Sequence, residues 1–270
     1  KLNVAGRGGG GADPAAAPVI FETSKDNMSC WAGVDRTAAT PTIWFGDKPG
    51  FFDGRYWIGD LAGAKTQIDV PTDTVIETHR GWLVAKPRSS WTVGGKTYAP
   101  DTLLGTSLAA YIAGERELHV LYEPGDRRAL EYWFWADGHL VLSMLDELQP
   151  RFEILTPSAS GWQKRTPPGL PATGVVSLGR LDKEESESNG DLVMTSQDPL
   201  TPATLSLVGA GQAPAVLKQS SAAFDAAGLI VTHHQAASSD GERIPYTQVG
   251  PADGDGNAPV HMVGYGGFRV

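Results

Sequence analysis

Glycines surround two aromatic residues in the run GYGGF at residues 264–268. Such glycines let the backbone bend tightly and approach a bound substrate closely. The apolar stretch at residues 260–263 precedes the run and predicts a short buried strand. A strand that enters such a turn can hold a donor at a sheet edge, where it stabilises negative charge on a reacting oxygen. The alternative is that Tyr265 and Phe268 only pack in a core, the commonest role of aromatic side chains.

Two further groups contain residue types that bind metal ions. His233 and His234 are adjacent in a predicted strand, so their side chains point to opposite faces and cannot both bind one ion without help. The loop DGDGN at 253–257 resembles the start of a calcium-binding loop, but Ala258 stands where glycine is expected and Gly264 where glutamate is expected. We therefore interpret the loop as a turn, and we expect no metal ion and no cofactor.

No serine of the chain lies in the glycine-flanked G-x-S-x-G context of a nucleophile elbow. Ser107 has Gly105 before it but Ala109 after it. Ser160 precedes a single glycine, Gly161. The sequence thus offers no recognisable nucleophile, and we expect this chain to be catalytically inactive by itself.

Composition argues against several other classes of function. The 270 residues include 22 basic and 31 acidic side chains, and the formal net charge of −9 repels nucleic acid backbones. Cys30 is the only cysteine, so neither an intrachain disulfide nor a cysteine-based zinc site can form. No apolar run approaches the roughly 20 residues of a membrane-spanning helix. We expect a soluble protein that binds neither nucleic acid nor membrane, and both bacterial cytoplasm and periplasm stay open as its compartment.

Short β-branched and aromatic runs, separated by Gly, Pro, Asp and Asn, predict a many-stranded antiparallel fold from Pro18 onward. The predicted strands are residues 19–22, 30–34, 42–45, 55–58, 82–86, 117–122, 130–135, 139–144, 152–155 and 174–178. Asp137-Gly138 predicts a tight primed turn between the strands at 129–136 and 139–145, because this pair suits positive φ angles. A second hairpin is predicted at 228–235 and 243–249, around Ser239-Asp240-Gly241.

Only one stretch predicts a helix, at residues 107–113, with a cap at Thr106 or Ser107 and a stop at Gly114. Many strands without long helices favour a sandwich, a barrel or a propeller, and the pattern alone does not choose among them. A propeller blade takes about 40–50 residues, so residues 18–235 would hold about four or five blades. The stretch GRGGGGADPAAAP before them has too little apolar side-chain area to fold and is interpreted as a linker.

The segment at 224–270 resembles the junction between propeller and catalytic domain in the prolyl oligopeptidase family of serine peptidases. The matching features are an alternating strand, then Ser239-Asp240-Gly241, Ile244-Pro245, an acidic-glycine loop and a strand ending in GYGGF. Upstream, DPLTPATLSL at 198–207 is similar to the last propeller blade of that family, and the region 81–122 is similar to a bacterial branch of it. The resemblance covers residues 18–270 and is specific only in its final portion.

The resemblance implies an all-β fold, an antiparallel β-propeller that is part of a seven-bladed one, followed by the first strands of an α/β-hydrolase domain. In this division residues 1–17 are a flexible Gly/Ala-rich linker, residues 18–235 are propeller blades, and residues 236–270 begin the truncated peptidase domain. It also implies that Tyr265 donates its phenol to the oxyanion of the reaction, and that Phe268 forms an aromatic wall of the pocket for the substrate proline.

The implied activity is that of a serine peptidase that cleaves short peptides on the C-terminal side of proline, while the propeller admits peptides and excludes folded proteins. In that family the catalytic serine, aspartate and histidine follow the segment matched here. The implied partners are short proline-containing peptides and the remainder of the peptidase domain. Two alternatives stay open: a non-enzymatic propeller that binds peptides or a partner, and a glycan-binding sandwich suggested only by the tryptophans.

Overall fold

The structure of the chain is a computed structural model that describes residues 2–3, 18–61, 63–182, 189–209, 211–254 and 256–264. Within these residues its regular secondary structure consists of antiparallel strands and one short helix. The prediction of an antiparallel β fold is therefore confirmed. In the part of the chain that is described, no helix has the length and apolar character needed to cross a membrane.

The strands follow one another along the whole of the described chain. They are β1 (Leu2–Asn3), β2 (Val19–Phe21), β3 (Ser29–Asp35), β4 (Thr42–Lys48), β5 (Arg55–Gly59), β6 (Lys65–Gln67), β7 (Thr74–His79), β8 (Trp82–Pro87), β9 (Trp91–Val93), β10 (Lys96–Tyr98), β11 (Leu103–Ser107), β12 (His119–Tyr122), β13 (Arg128–Ala136), β14 (His139–Asp146), β15 (Gln149–Ser158), β16 (Gly161–Arg165), β17 (Val175–Arg180), β18 (Leu192–Gln197), β19 (Thr204–Val208), β20 (Ala215–Gln219), β21 (Leu229–Ala237) and β22 (Arg243–Pro251). The helix α1 (Leu108–Ile112) lies between β11 and β12.

Sixteen of these strands form four consecutive four-stranded sheets. The first sheet has the order β3-β4-β5-β6, the third β13-β14-β15-β16 and the fourth β17-β18-β19-β20, so each is an up-and-down meander. The second sheet has the order β7-β8-β11-β12, with the small hairpin β9–β10 inserted between its middle strands. A four-stranded antiparallel sheet of this kind is the blade of a β-propeller. The described residues do not form a closed ring of blades, so the architecture is propeller-like.

Apolar cores lie between successive sheets, because the side chains of a strand alternate between its two faces. In β8, Leu83 and Ala85 pack toward the first sheet, whereas Val84 packs toward the third. In β14, Leu142 packs toward the second sheet and Val141 toward the fourth. Because the middle strands are buried on both faces, a slip of one residue would exchange one buried set for the other, and this constrains the register of each sheet.

The first strands of successive sheets lie side by side, as they do around the axis of a propeller. Thr78 Oγ1 in β7 donates to Asp35 Oδ2 in β3 at 3.0 Å. The hydroxyl of Tyr132 in β13 accepts the N–H of Leu178 in β17 at 2.9 Å and donates to its carbonyl at 3.2 Å. These bonds link the sheets independently of the apolar cores.

The two local features predicted with named residues are present. Asp137 and Gly138 have φ angles of 45° and 73° and join β13 to β14 in a two-residue turn. At the helix, Ser107 is the cap, since its Oγ accepts the N–H of Ala110 at 3.4 Å. Gly114, with a φ angle of 101°, follows the end of the helix. Asp137-Gly138 and Gly114 thus stand where positive φ angles are required.

The last two strands form a separate two-stranded sheet, β21–β22, which we call the terminal hairpin. Its turn is closed by a hydrogen bond of 2.8 Å from the N–H of Ser238 to the carbonyl of Glu242, so the predicted second hairpin is confirmed. The predicted buried strand at 260–263 is wrong: these residues form no strand, and Val260 and Met262 are exposed. An apolar run becomes a buried strand only when neighbouring strands pair with it, and no described strand does so.

Candidate functional site

A cleft of about 690 Å³ lies between the terminal hairpin and the third and fourth sheets. In an up-and-down sheet, the turn between the second and third strands lies at the same end as the link to the next sheet. The β14–β15 turn, the link before β17 and the β18–β19 turn line the cleft from that end. The hairpin forms the opposite wall. Clefts of this size, at the junction of two substructures, are common places for ligands.

Glu147 joins the two walls of the cleft. Its Oε1 accepts a hydrogen bond from Gln235 Nε2 of the hairpin at 3.4 Å and lies 3.4 Å from Arg127 Nη1. The N–H of Glu147 also donates to the carbonyl of Arg127 at 3.0 Å, which fixes the β14–β15 turn. Because the ion pair is half exposed, it contributes little to stability. Its effect is to orient the Glu147 carboxylate between the sheet and the hairpin.

Asp198 supplies a second negative charge to the cleft. Its carboxylate accepts the backbone N–H groups of Leu200 and Thr201, both at 2.8 Å. Burial raises the pKa of Asp198, but the hydrogen bonds from Leu200 and Thr201 outweigh that effect and hold the pKa below its ordinary value of 3.8. The carboxylate is therefore ionised at neutral pH. Among the described residues no lysine or arginine lines the cleft itself, and Arg127 offsets the charge of Glu147, so Asp198 is the carboxylate that disfavours acidic ligands.

His233 and His234 lie on the hairpin side and have separate partners, as adjacent strand residues should. His233 Nδ1 is 3.2 Å from Thr247 Oγ1, which faces it across the hairpin. His234 Nε2 is 2.9 Å from Thr232 Oγ1. The ring of His234 stacks on Tyr246 with 5.1 Å between centroids. Within the described ranges, no group of three or more His, Cys, Asp or Glu side chains could hold a metal ion.

The two site residues named from the sequence, Tyr265 and Phe268, lie outside the described residues. Asp255 of the DGDGN loop does so as well. Their roles therefore remain predictions, and the cleft is the site that the structure itself adds. The sequence does not predict this cleft, because the turn Glu147-Leu148 at the edge of the cleft has neither the glycine nor the asparagine typical of a two-residue hairpin turn.

Several tryptophans of the strands pack between sheets. Trp135 is buried, and His79 stacks on it with 4.7 Å between ring centroids and 16° between ring planes. Trp162 contacts both Trp135, at 6.0 Å, and Trp82, at 5.4 Å. These rings fill the space between the second and third sheets and are not available as a platform for sugars.

Comparison with curated proteins finds similarity to peptidases. No protein family model matches the chain. An uncharacterized peptidase of Sinorhizobium fredii is 27% identical over 214 residues, a match that covers 76% of this chain and 29% of that protein. The chain thus spans less than a third of the length of this relative.

Comparison with solved structures identifies the fold. A post-proline cleaving enzyme from Rickettsia typhi superposes with a TM-score of 0.72 and 17% identity, covering 90% of this chain and 36% of that one. Oligopeptidase B from Leishmania major superposes with a TM-score of 0.58 and 16% identity, covering 92% of this chain and 35% of that one. The propeller-like fold of this chain is therefore the fold of about a third of each of these structures.

Proposed function

Because these similarities fit a fragment of a prolyl oligopeptidase-family peptidase, we propose that the intact protein hydrolyses short peptides on the C-terminal side of proline. The observation that carries the proposal is the likeness of the four-sheet fold to part of a post-proline cleaving enzyme. In this proposal the chain supplies propeller blades, and residues beyond it supply the catalytic serine, aspartate and histidine. This chain is then inactive without the remainder of the peptidase domain.

The blades serve as the gate that admits peptides and excludes folded proteins. Their stacked apolar cores support this role, because a wall that discriminates by size must resist deformation. The cleft beside the terminal hairpin supports it as well, since it places a ligand-sized space where the blades meet the next part of the chain. Short proline-containing peptides are the substrates in this proposal.

Tyr265 and Phe268 are the residues of this chain that act in the reaction. The phenol of Tyr265 donates a hydrogen bond to the oxyanion that forms when the serine attacks the scissile carbonyl. Phe268 packs its flat ring on the pyrrolidine of the substrate proline. The order of the motifs at 224–270, from the alternating strand to GYGGF, is what supports these roles.

The proposed domain division follows from the same motifs. Residues 1–17 are the linker, residues 18–235 the blades, and residues 236–270 the start of the α/β-hydrolase domain. The last strand of the fourth sheet ends at Gln219, and β21 runs without a break from Leu229 to Ala237. The proposed boundary after Gln235 therefore falls near the end of this strand, so the terminal hairpin spans the junction between the two domains.

The test uses the longer protein that contains this chain together with the residues after Val270. We expect it to hydrolyse a fluorogenic amide that ends in Gly-Pro, to leave the Gly-Ala analogue almost uncleaved, and to be inhibited by a serine-directed phosphonate. The 270-residue chain alone serves as the control and should release no fluorophore. If the longer protein binds the Gly-Pro amide without cleaving it, the chain belongs to a non-enzymatic propeller that captures peptides.

A further inference from the structure

The turn between β14 and β15 differs from the three other two-residue strand connections in which both turn residues have positive φ angles. Arg80-Gly81, Gly94-Gly95 and Asp137-Gly138 all have positive φ angles, and each has glycine in second place. Glu147-Leu148 joins Asp146 to its partner Gln149 with φ angles of 50° and 65°, but it has no glycine. A leucine in the left-handed region is strained, because its Cβ crowds the backbone.

This strained conformation is held from outside the turn. The N–H of Glu147 donates to the carbonyl of Arg127, and the carboxylate of Glu147 lies between Arg127 and Gln235. Strain that the surroundings hold in place in this way is frequently associated with a functional site. Here packing does not offset the strain, because Leu148 is 64% exposed and lies in none of the three apolar cores.

Leu148 is one of the residues that line the cleft. Pro199 of the fourth sheet and Val231 and Pro245 of the terminal hairpin line the same cleft and offer apolar surface. Val231 and Pro245 lie on the face of the hairpin that carries Gln235, which donates to Glu147. A glycine at position 148 would relax the turn but would remove one apolar wall of this space.

We propose that Leu148 and the cleft around it form a subsite for an apolar side chain of a neutral or basic peptide. The strained turn presents the leucine to the ligand, and the carboxylate of Asp198 disfavours acidic peptides. This inference rests on the proposed function, because it takes peptides as the ligands. The proposed subsite is a contact with the peptide separate from those predicted for Tyr265 and Phe268.

The test measures peptide binding and thermal stability of the 270-residue chain. The probes are acetyl-Gly-Leu-Gly-Pro-Gly-amide and the analogue with serine in place of leucine, titrated into labelled protein and followed by NMR chemical shifts. We expect the leucine probe to bind about fivefold more tightly than the serine probe, since burial of its side chain is favourable. Leu148→Gly should abolish this preference and raise Tm by about 2–4 °C, because glycine relieves the strained φ.

Leu148→Met is the matched control, because methionine keeps both the apolar side chain and the strained backbone. It should retain the preference for the leucine probe and the Tm of the original chain. The proposal is overturned if Leu148→Gly keeps the preference, if it fails to raise Tm, or if the unaltered chain does not distinguish the probes. Binding needs no catalysis, so absence of hydrolysis by the longer protein, with the preference intact, would remove the peptidase and leave the subsite.

Discussion

The four stacked sheets and the terminal hairpin use the same antiparallel pairing, yet they bury their apolar side chains very differently. Leu140 and Leu142 in the third sheet are fully buried, because a neighbouring sheet covers each face. In the hairpin, Ile244 and Tyr246 are 53% and 48% exposed. The four sheets thus cover one another's apolar faces, and we call them the scaffold. The apolar residues of the hairpin have surface left to pack on a partner, which the proposed function assigns to the remainder of the peptidase domain.

This difference teaches that hydrogen bonding alone does not make a strand pair part of a stable core. Every residue of β21 from Leu229 to Ala237 has a partner in β22, so the pairing of the two strands is uninterrupted. An isolated two-stranded sheet is only marginally stable in water, since it has no second layer to exclude water from its faces. We therefore expect the scaffold and the hairpin to have different free energies of unfolding.

The largest effect should come from a large side chain at an interface between sheets. Trp135→Ala removes a buried ring that packs on His79 and Trp162 and leaves a cavity. We expect the free energy of unfolding to fall by about 3–5 kcal/mol. Tyr246→Ala in the hairpin is the matched aromatic control and should change it by less than about 0.5 kcal/mol. Urea unfolding measures both, and equal losses would show that the hairpin belongs to the same cooperative unit as the sheets.

A smaller effect is expected at the buried carboxylate of the first sheet. Asp47 accepts hydrogen bonds from Arg55 Nε at 2.9 Å, Arg55 Nη2 at 2.6 Å and Asn27 Nδ2 at 2.7 Å, and from the hydroxyl of Thr23. Asp47→Ala leaves these donors without their acceptor, so the free energy of unfolding should fall by about 2 kcal/mol. Asp69→Ala at the exposed pair with Arg116 is the control and should cost less than about 0.5 kcal/mol.

The contribution of Asp47 should also depend on pH. Burial raises the pKa of Asp47, but the hydrogen bonds from Arg55, Thr23 and Asn27 outweigh it and hold the pKa below its ordinary value of 3.8. A lowered folded-state pKa gives stability that is fully present above 3.8 and is lost as the pH falls through the folded value. The free energies of unfolding of the original chain and of Asp47→Ala, measured as a function of pH, should therefore converge below the folded-state pKa. A difference that stays constant with pH would contradict a lowered pKa of Asp47.

The smallest effect compares two glycines of equivalent conformation in the two regions. Gly138 in the third sheet and Gly241 in the hairpin have φ angles of 73° and 90°, so alanine is strained at both positions. We expect Gly138→Ala to lower the global free energy of unfolding by about 1 kcal/mol. Gly241→Ala should leave that value unchanged and speed amide exchange only within β21–β22. Faster amide exchange across all four sheets in Gly241→Ala would show that the terminal hairpin does not unfold independently of the sheets.

Much of the fold could be predicted because its signals are local. Asp137-Gly138 and the Ser107 cap act within a few residues, so the sequence alone places the turn and the helix. Several strands were absent from the prediction, among them β9, β10 and β20. The first two have three residues each, and β20 is exposed along its whole length, so no apolar alternation marks them. The run at 260–263 shows the reverse error, since apolar composition carries no information about whether a partner strand is present.

The candidate site was harder to predict than the fold. Glu147, Asp198 and Tyr246 come from three separate stretches of the chain, and only the stacking of sheets brings them to one cleft. The turn Glu147-Leu148 has positive φ angles without a glycine, and the N–H of Glu147 is held by the carbonyl of Arg127, a residue outside the turn. No pattern within a short window encodes such contacts. Tyr265 and Phe268, by contrast, were named from a resemblance and lie outside the described residues.

In this account the four sheets supply stability, and the segment after the terminal hairpin supplies chemistry. Tyr265→Phe in the longer protein tests this account most directly. If the phenol meets the developing oxyanion, kcat on a prolyl amide should fall by about 10²–10³, the usual loss for one such donor. KM should change much less, because the bond forms only as the tetrahedral intermediate develops. Tm should stay the same, since the ring is retained. An unchanged kcat, on a substrate for which acylation limits the rate, would remove Tyr265 from the mechanism.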